Sequence, residues 1–393
     1  MTTGASWLLS PAALRGEAPH RRGVSTHRHI LRTWIAAAGV VGLVGCALFG
    51  IDALRVIIVT LLFTFGVDLM FVVTMRRASG GRLSRTFLIG VLAGLTLPAD
   101  VDWHVAAICG TVAATVGNVI FGGWLHPALV GRVFVQFLFW EKLSLAGATV
   151  AVGPVLSAAH LFVGDLNQAS KVEHYEGWME TTPPPSKDAL LLTPPLWSLR
   201  RFAQGHIPAD GDLQFEPLLR DSLPPWIDTL IGAVPGGIGE TSTLSIIIVG
   251  FFLIYRGYLR WQLPVAVLVS AFVAASILPI ESGGNYVWFP VFAVEGGRAV
   301  GLAYVLYHLT AGQLMLGAFL LAGDVVSSPM RAHGQVVYGI GIGVLTIFMR
   351  LYGVLECECY WAILIMNVFV GTIDRFTSRR VLGTAPVDEA VPA

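Results

Sequence analysis

Charge is scarce in this chain: of its 393 residues only 13% are Asp, Glu, Lys or Arg, about half the share of a soluble globular domain. That scarcity excludes an ordinary water-soluble enzyme. Neither sign predominates, since Lys+Arg and Asp+Glu both number 25, and a balance of zero argues against a nucleic-acid partner. Cysteine is also rare, and four are too few for a disulfide framework. The first 32 residues lack a long apolar run and carry Arg15, Arg21, Arg22, Arg28 and Arg32. No small-residue cleavage pattern follows the first apolar stretch, so residues 1–32 read as a retained cytoplasmic tail and not as a secretory signal. No nucleophile–histidine–acid constellation, P-loop or nicotinamide-type glycine signature stands in a suitable setting, and no catalytic residue is assigned.

What the chain has in quantity is hydrophobic surface, at 55% of residues. With roughly 20 residues per crossing, that is room for about ten membrane helices, an all-α polytopic fold. Apolar segments fall near 33–51, 55–75, 86–98, 103–122, 128–140, 241–255, 262–280, 299–322, 336–350 and 360–373. Cytoplasmic loops should hold the excess of Lys and Arg. Arg76, Arg77, Arg82 and Arg85, then Arg256 and Arg260, then Arg331, then Arg375, Arg379 and Arg380 all fall on one side in this threading, the side of both termini.

The domains that follow are a tail (1–32), a first membrane half of five spans (33–140), an external Pro-rich excursion (141–240), a second half of five spans (241–376) and a tail (377–393). Residues 143–163 are apolar enough to span, but a crossing there would invert every later loop, so they read as an external, membrane-lying or protein-packed segment. Residues 86–98 end in Leu97-Pro98-Ala99-Asp100 and 299–322 in Ala322-Gly323-Asp324. Two halves with an odd number of spans and interrupted helices suggest an inverted five-plus-five repeat, a design that places binding sites near the midplane.

Asp68, within FTFGVDLMFVV, is the carboxylate most clearly surrounded by apolar neighbours, and an ion-path role is the default reading of such a residue. His308 reads as a packing histidine. Cys357-Glu358-Cys359 offers too few thiolates, wrongly spaced, for a closed metal site, while Cys46 and Cys109 read as packing residues; no metal site is assigned. Trp103, Trp124, Trp140, Trp261 and Trp288 fall near span ends, as an interfacial aromatic belt requires.

Several blocks together resemble a known family. GVLAGLTLP (90–98), FGGWLHPALVGR (121–132), GAVPGGIGETSTL (232–244), HLTAGQLMLGAFLLAGDVVSSP (308–329), YGIGIGVLTIFMRLYG (338–353) and AILIMNVFVGTIDRF (362–376) look like consecutive blocks of the NqrB/RnfD family, in family order. The resemblance runs from about residue 19 to residue 376. It implies a ten-helix bacterial inner-membrane subunit, with both termini cytoplasmic. Such a subunit carries flavin and passes electrons within a complex that moves Na⁺ or H⁺, beside the other subunits of an Rnf/Nqr-like assembly.

The family's FMN is held by a phosphoester to a threonine in an external loop, typically Asp-x-x-Ser-Gly-Ala-Thr-Pro-Leu. Here Asp188-Ala-Leu-Leu-Leu-Thr193-Pro194-Pro195-Leu196 occupies that place, with Leu190-Leu191-Leu192 in place of Ser-Gly-Ala. A rival is Thr149 in Ala146-Gly147-Ala148-Thr149, which matches the local letters but lacks the following proline. Position favours Thr193, which Pro194 drives toward an extended conformation; the competing reading is a polyproline linker. Gly236, Gly239, Glu240, Thr241 and Ser242 precede a span, where free N–H groups and hydroxyls suit a phosphate or a flavin oxygen, or simply cap the helix. The resemblance also leaves room for riboflavin as a second, noncovalent flavin. Asp324 and Glu356 resemble family acids at the same blocks and join Asp68 as ion-path candidates. The competing functions are a solute channel or transporter of the same architecture, and an orphan relative that lost covalent flavin and serves as redox partner or scaffold.

Overall fold

A computed structural model describes residues 27–74, 82–140, 143, 149–151, 189–191, 226–232, 234, 236–282, 285–292, 298–324, 326–353 and 356–377. Thr193 and most of the excursion, including nearly all of 143–163, lie outside these residues, as do residues 1–26 and 378–393.

The helices are α1 (His27–Phe49), α2 (Ile51–Thr74), α3 (Arg82–Leu95), α4 (Trp103–Val112), α5 (Pro127–Leu138), α6 (Trp226–Ile231), α7 (Thr243–Tyr255), α8 (Gln262–Ile277), α9 (Arg298–Thr310), α10 (Gln313–Leu316), α11 (Ala332–Tyr352) and α12 (Glu358–Thr377). Helix α4 continues as a π-helix over Ala113–Ile120, and α10 over Gly317–Leu321. Short antiparallel strands pair β1 (Thr149–Ala151) with β2 (Ala189–Leu191) and β3 (Ile280–Ser282) with β4 (Asn285–Val287).

Each apolar segment seen in the sequence is a helix here, with its ends moved. Helix α1 starts at His27, inside the stretch assigned to the tail, because a polar first turn can continue a helix out of the lipid. Only Gly50, at φ 75°, separates α1 from α2, so the chain reverses through the left-handed region that glycine enters at no steric cost. The segment 299–322 is broken earlier than its Gly323 suggests: it bends by 55° between Thr310 and Gln313. Among the described residues five helices can cross a membrane by length and apolarity, six if that bent pair counts as one, and α3, α5, α7 and α8 are shorter apolar helices. This is a polytopic, overwhelmingly helical membrane protein.

The halves share an order of packing. In the first, α2 lies on α3 and α4, and α4 on α5; in the second, α8 lies on α9 and α11, and α11 on α12. Lipid cannot drive helices together, so close contact must come from small residues. Gly339 and Gly343 form such a pair on α11: a Cβ at Gly343 would stand 2.4 Å from Val267 O and 2.1 Å from Ser270 Oγ of α8. Gly343→Val is therefore expected to cost about 3 kcal/mol through overpacking, read as a lower thermal midpoint in detergent. Leu43, Leu62, Phe251 and Phe252 remain outward, as lipid contact requires.

Candidate functional site: two junctions between the halves

The interrupted ends meet one another. Helix α3 stops at Leu95, and Pro98, lacking an N–H, cannot extend it. The freed carbonyls are taken by the glycine-rich segment before α7: Gly239 N donates to Leu95 O at 2.8 Å and Ile238 N to Leu97 O at 2.9 Å, while Pro98 and Gly237 form an antiparallel bridge. Gly239 is needed for this approach, since a Cβ there would lie 2.8 Å from Leu95 Cβ. Ser242 caps α7, its hydroxyl accepting from Ser245 N at 3.4 Å.

An ionic network is built onto this junction. Arg132, on α5 and 5% exposed, donates from Nε to Thr96 O at 2.8 Å and from Nη1 to Gln136 Oε1 at 2.6 Å. Gln136 Nε2 donates to Glu356 Oε2 at 2.7 Å, just before α12. Glu240 accepts from Tyr360 Oη of α12 and, at 3.3 Å, from Gly237 N. Arg132 is also within electrostatic reach of Glu240, Tyr360, Cys357 and Cys109. The cation thus satisfies the C-terminal end of one broken helix while facing carboxylates from the other half.

The second break has the same device. Arg350 of α11, fully buried, donates from Nη1 to His308 O at 2.6 Å, in the last turn of α9. Beside it Thr243 Oγ1 donates to Thr310 O at 2.8 Å, tying the start of α7 to the break. His308 packs edge-on against Tyr304, with ring centroids 4.6 Å apart. That is a packing histidine, although its ring nitrogens have no hydrogen-bond partner among the described residues.

A second junction lies where the loop before α5 meets the one after α10. With the Asn367 amide oriented to suit its neighbours, its oxygen accepts from His126 N at 3.0 Å and its nitrogen donates to Ser327 O at 3.1 Å. Asp324, half-buried, accepts from Ser327 Oγ at 3.2 Å.

The sequence candidates therefore separate. Glu356 and Glu240 come together at the first junction, Asp324 sits at the second, and Asp68 stands apart on α2, buried and accepting from Thr86 Oγ1 at 2.7 Å. Gly236, Gly239, Thr241 and Ser242 belong to the first junction, where the amides of residues 237 to 240 are spent on Glu240 Oε2, Leu97 O, Leu95 O and Gly237 O. The amides of residues 237–240, so engaged, do not fit a phosphate; among the described residues the buried side-chain hydroxyl of Thr241 is without a partner. Of the flavinylation rivals, Thr149 lies in β1 opposite Leu191, two residues before Thr193 in the sequence, so the ladder joins the two competing segments. Sequence reasoning passed over Arg132 and Arg350, although an ionisable residue inside an apolar block is itself the signal.

Comparison with known proteins gives a consistent result. The sequence model of the NQR2, RnfD, RnfE family matches residues 15–383. The D subunit of the Na(+)-translocating ferredoxin:NAD(+) oxidoreductase complex of Acetobacterium woodii is 25% identical over 379 residues, covering 95% of this chain and 96% of that one. The D subunit of the proton-translocating ferredoxin:NAD(+) oxidoreductase complex of Clostridium ljungdahlii is 27% identical over 347 residues, 86% of each. The B subunit of the Na(+)-translocating NADH-quinone reductase of Chromohalobacter salexigens is 26% identical, over 74% of this chain and 57% of that one.

Proposed function

From the premise that this chain belongs to the NQR2, RnfD, RnfE family, we propose that it is the flavin-carrying membrane subunit of an Rnf/Nqr-like electron-transport complex. It works in a bacterial inner membrane with both termini cytoplasmic, and it couples electron passage to Na⁺ or H⁺ movement beside companion subunits. The observation that carries this reading is the set of ionisable groups inside an apolar bundle: among the described residues Asp68, Arg132, Glu240, Arg350 and Glu358 are each buried. Such groups are costly in lipid and are kept where charge must pass or be held.

In this reading FMN is esterified to Thr193, with Thr149 the rival, and when bound supplies one-electron carriage. The chain's own part is placement, insulation and charge: the two halves, read as inverted repeats, lock through the junctions, and Asp68, Asp324 and Glu356 serve the ion. Riboflavin, if a second flavin is held, is bound elsewhere than the engaged amides of residues 237–240.

The test is purification of the tagged full chain from its own membranes. Companion subunits and a flavin absorption band are expected to travel with it. A colourless preparation with its companions present would remove the flavin reading and favour the scaffold; a colourless chain that conducts solute would favour the channel.

A further inference from the structure

A line of polar groups runs through the first half. Thr60, Thr64 and Asp68 lie four residues apart on the buried face of α2, so Asp68 is about 12 Å along the axis from Thr60. Thr64 Oγ1 reaches Gly110 O of α4 at 3.3 Å, and a Cβ at Gly110 would lie 2.4 Å from Thr60 O. A Cβ at Gly131, the neighbour of Arg132, would lie 2.4 Å from Cys109 O. The threonine face of α2, the Cys109–Gly110 turn and Arg132 are therefore contiguous. Beyond Arg132 come Gln136 and then Glu356, which packs beside Phe137, Trp140 and Trp361 around a hollow too small to hold a water. Asp68 lies in the last two turns of α2, at the end of the bundle away from the excursion, while Glu356 lies at the excursion's end.

One permanently charged group interrupts this route. We propose that Arg132 is an electrostatic barrier between two cation half-paths, one ending at Asp68 and the other entering through Glu356 and Gln136. The proposal rests on the reading of Asp68 and Glu356 as ion-path acids. A guanidinium keeps its charge at any physiological pH, and in a water-poor interior it repels a monovalent cation far more strongly than in solvent. Glu240 and Glu358 lie on the Glu356 side and attract a cation as far as the barrier; Arg132, held by Thr96 O and Gln136, stops it there. Fixed arginines exclude cations from other membrane pores by the same physics.

The test uses the full chain with its companion subunits in sealed liposomes, with passive entry of radioactive Na⁺ measured in the absence of electron donor. Wild type is expected to be tight. Arg132→Gln should raise entry at least ~10-fold, while Arg132→Lys should stay within about twofold of wild type. Because Arg132→Gln also disturbs the cap on α3, adding Asp68→Asn to it supplies an independent arm: a leak through a disturbed cap would persist, whereas a leak along the cation path should close. A tight Arg132→Gln, a lysine variant as leaky as the glutamine one, or a leak indifferent to Asp68→Asn would each overturn the barrier. The underlying reading fails separately: donor-driven Na⁺ uptake that Asp68→Asn leaves at the wild-type rate removes Asp68 from the ion path.

Discussion

Arg350→Met is expected to lower the stability of the folded chain by about 1–3 kcal/mol, the range for leaving a buried polar group without its partner. Arg350 is fully buried on α11, and its Nη1 donates to His308 O at 2.6 Å. Methionine approximates its volume, so packing is largely kept; the donor and the charge are lost. Two consequences add. The last turn of α9 ends inside the bundle, where no water replaces the missing donor, and an unsatisfied carbonyl there costs about 1–3 kcal/mol. Cys359, the second residue of α12, lies within electrostatic reach of Arg350, so the lost charge is felt across the α11–α12 contact as well. Arg350→Lys keeps the charge but not the planar fork, and should fall between. Thermal unfolding in detergent measures all three chains. A methionine variant as stable as wild type would show that the end of α9 does not depend on Arg350.

How far the sequence discloses such a site depends on the length of the signal. A membrane helix is a sum over roughly 20 residues that a few misplaced residues barely change; the ten apolar segments read in the sequence are helical here, and among the described residues five helices, or six with the bent pair, are long and apolar enough to cross. The break between α9 and α10 rests on Thr310-Ala311-Gly312, one glycine in an apolar run, and its ends are visible only once Arg350 and Thr243 are seen to satisfy the carbonyls there. Helix α6 and the β1–β2 ladder are too short to carry a period. The meeting of Leu95 and Leu97 with Gly239 and Ile238 joins segments on opposite sides of the long excursion, and no local pattern contains it. Glu240 was legible as a special residue but not in its role: beside a glycine run it resembles part of a ligand cradle, whereas Tyr360 and Gly237 take its oxygens. Arg132 and Arg350 were the avoidable omissions, since each stands in a block whose other residues are almost all apolar, as Asp68 does.

Thr193→Val is expected to abolish covalent FMN, and Thr149→Val to leave it in place. The argument turns on how a hydroxyl is presented. Transfer of a flavin phosphate to a threonine requires the side chain to project from a chain that a modifying enzyme can grip, which loops provide and paired strands do not. Thr149 is a strand residue, cross-paired with Leu191. Its backbone is thereby committed to a ladder, and its neighbours Val150 and Ala151 pair with Leu190 and Ala189. Leu190-Leu191-Leu192, which stands where the family has Ser-Gly-Ala, is thus in part the partner strand of the rival site. Two of the leucines that weaken the motif, Leu190 and Leu191, supply the β-pairing that occupies the alternative, and by sequence Thr193 precedes a proline, which disfavours the helical conformation for it. Mass spectrometry of the peptide covering residues 188–200, together with flavin fluorescence of the chain after denaturing electrophoresis, reads the outcome. Fluorescence that survives Thr193→Val and disappears in Thr149→Val would reverse the assignment; fluorescence absent from wild type purified with its companions would make the chain a relative that has lost its covalent flavin, and its buried acids and arginines would then serve ion movement or assembly alone.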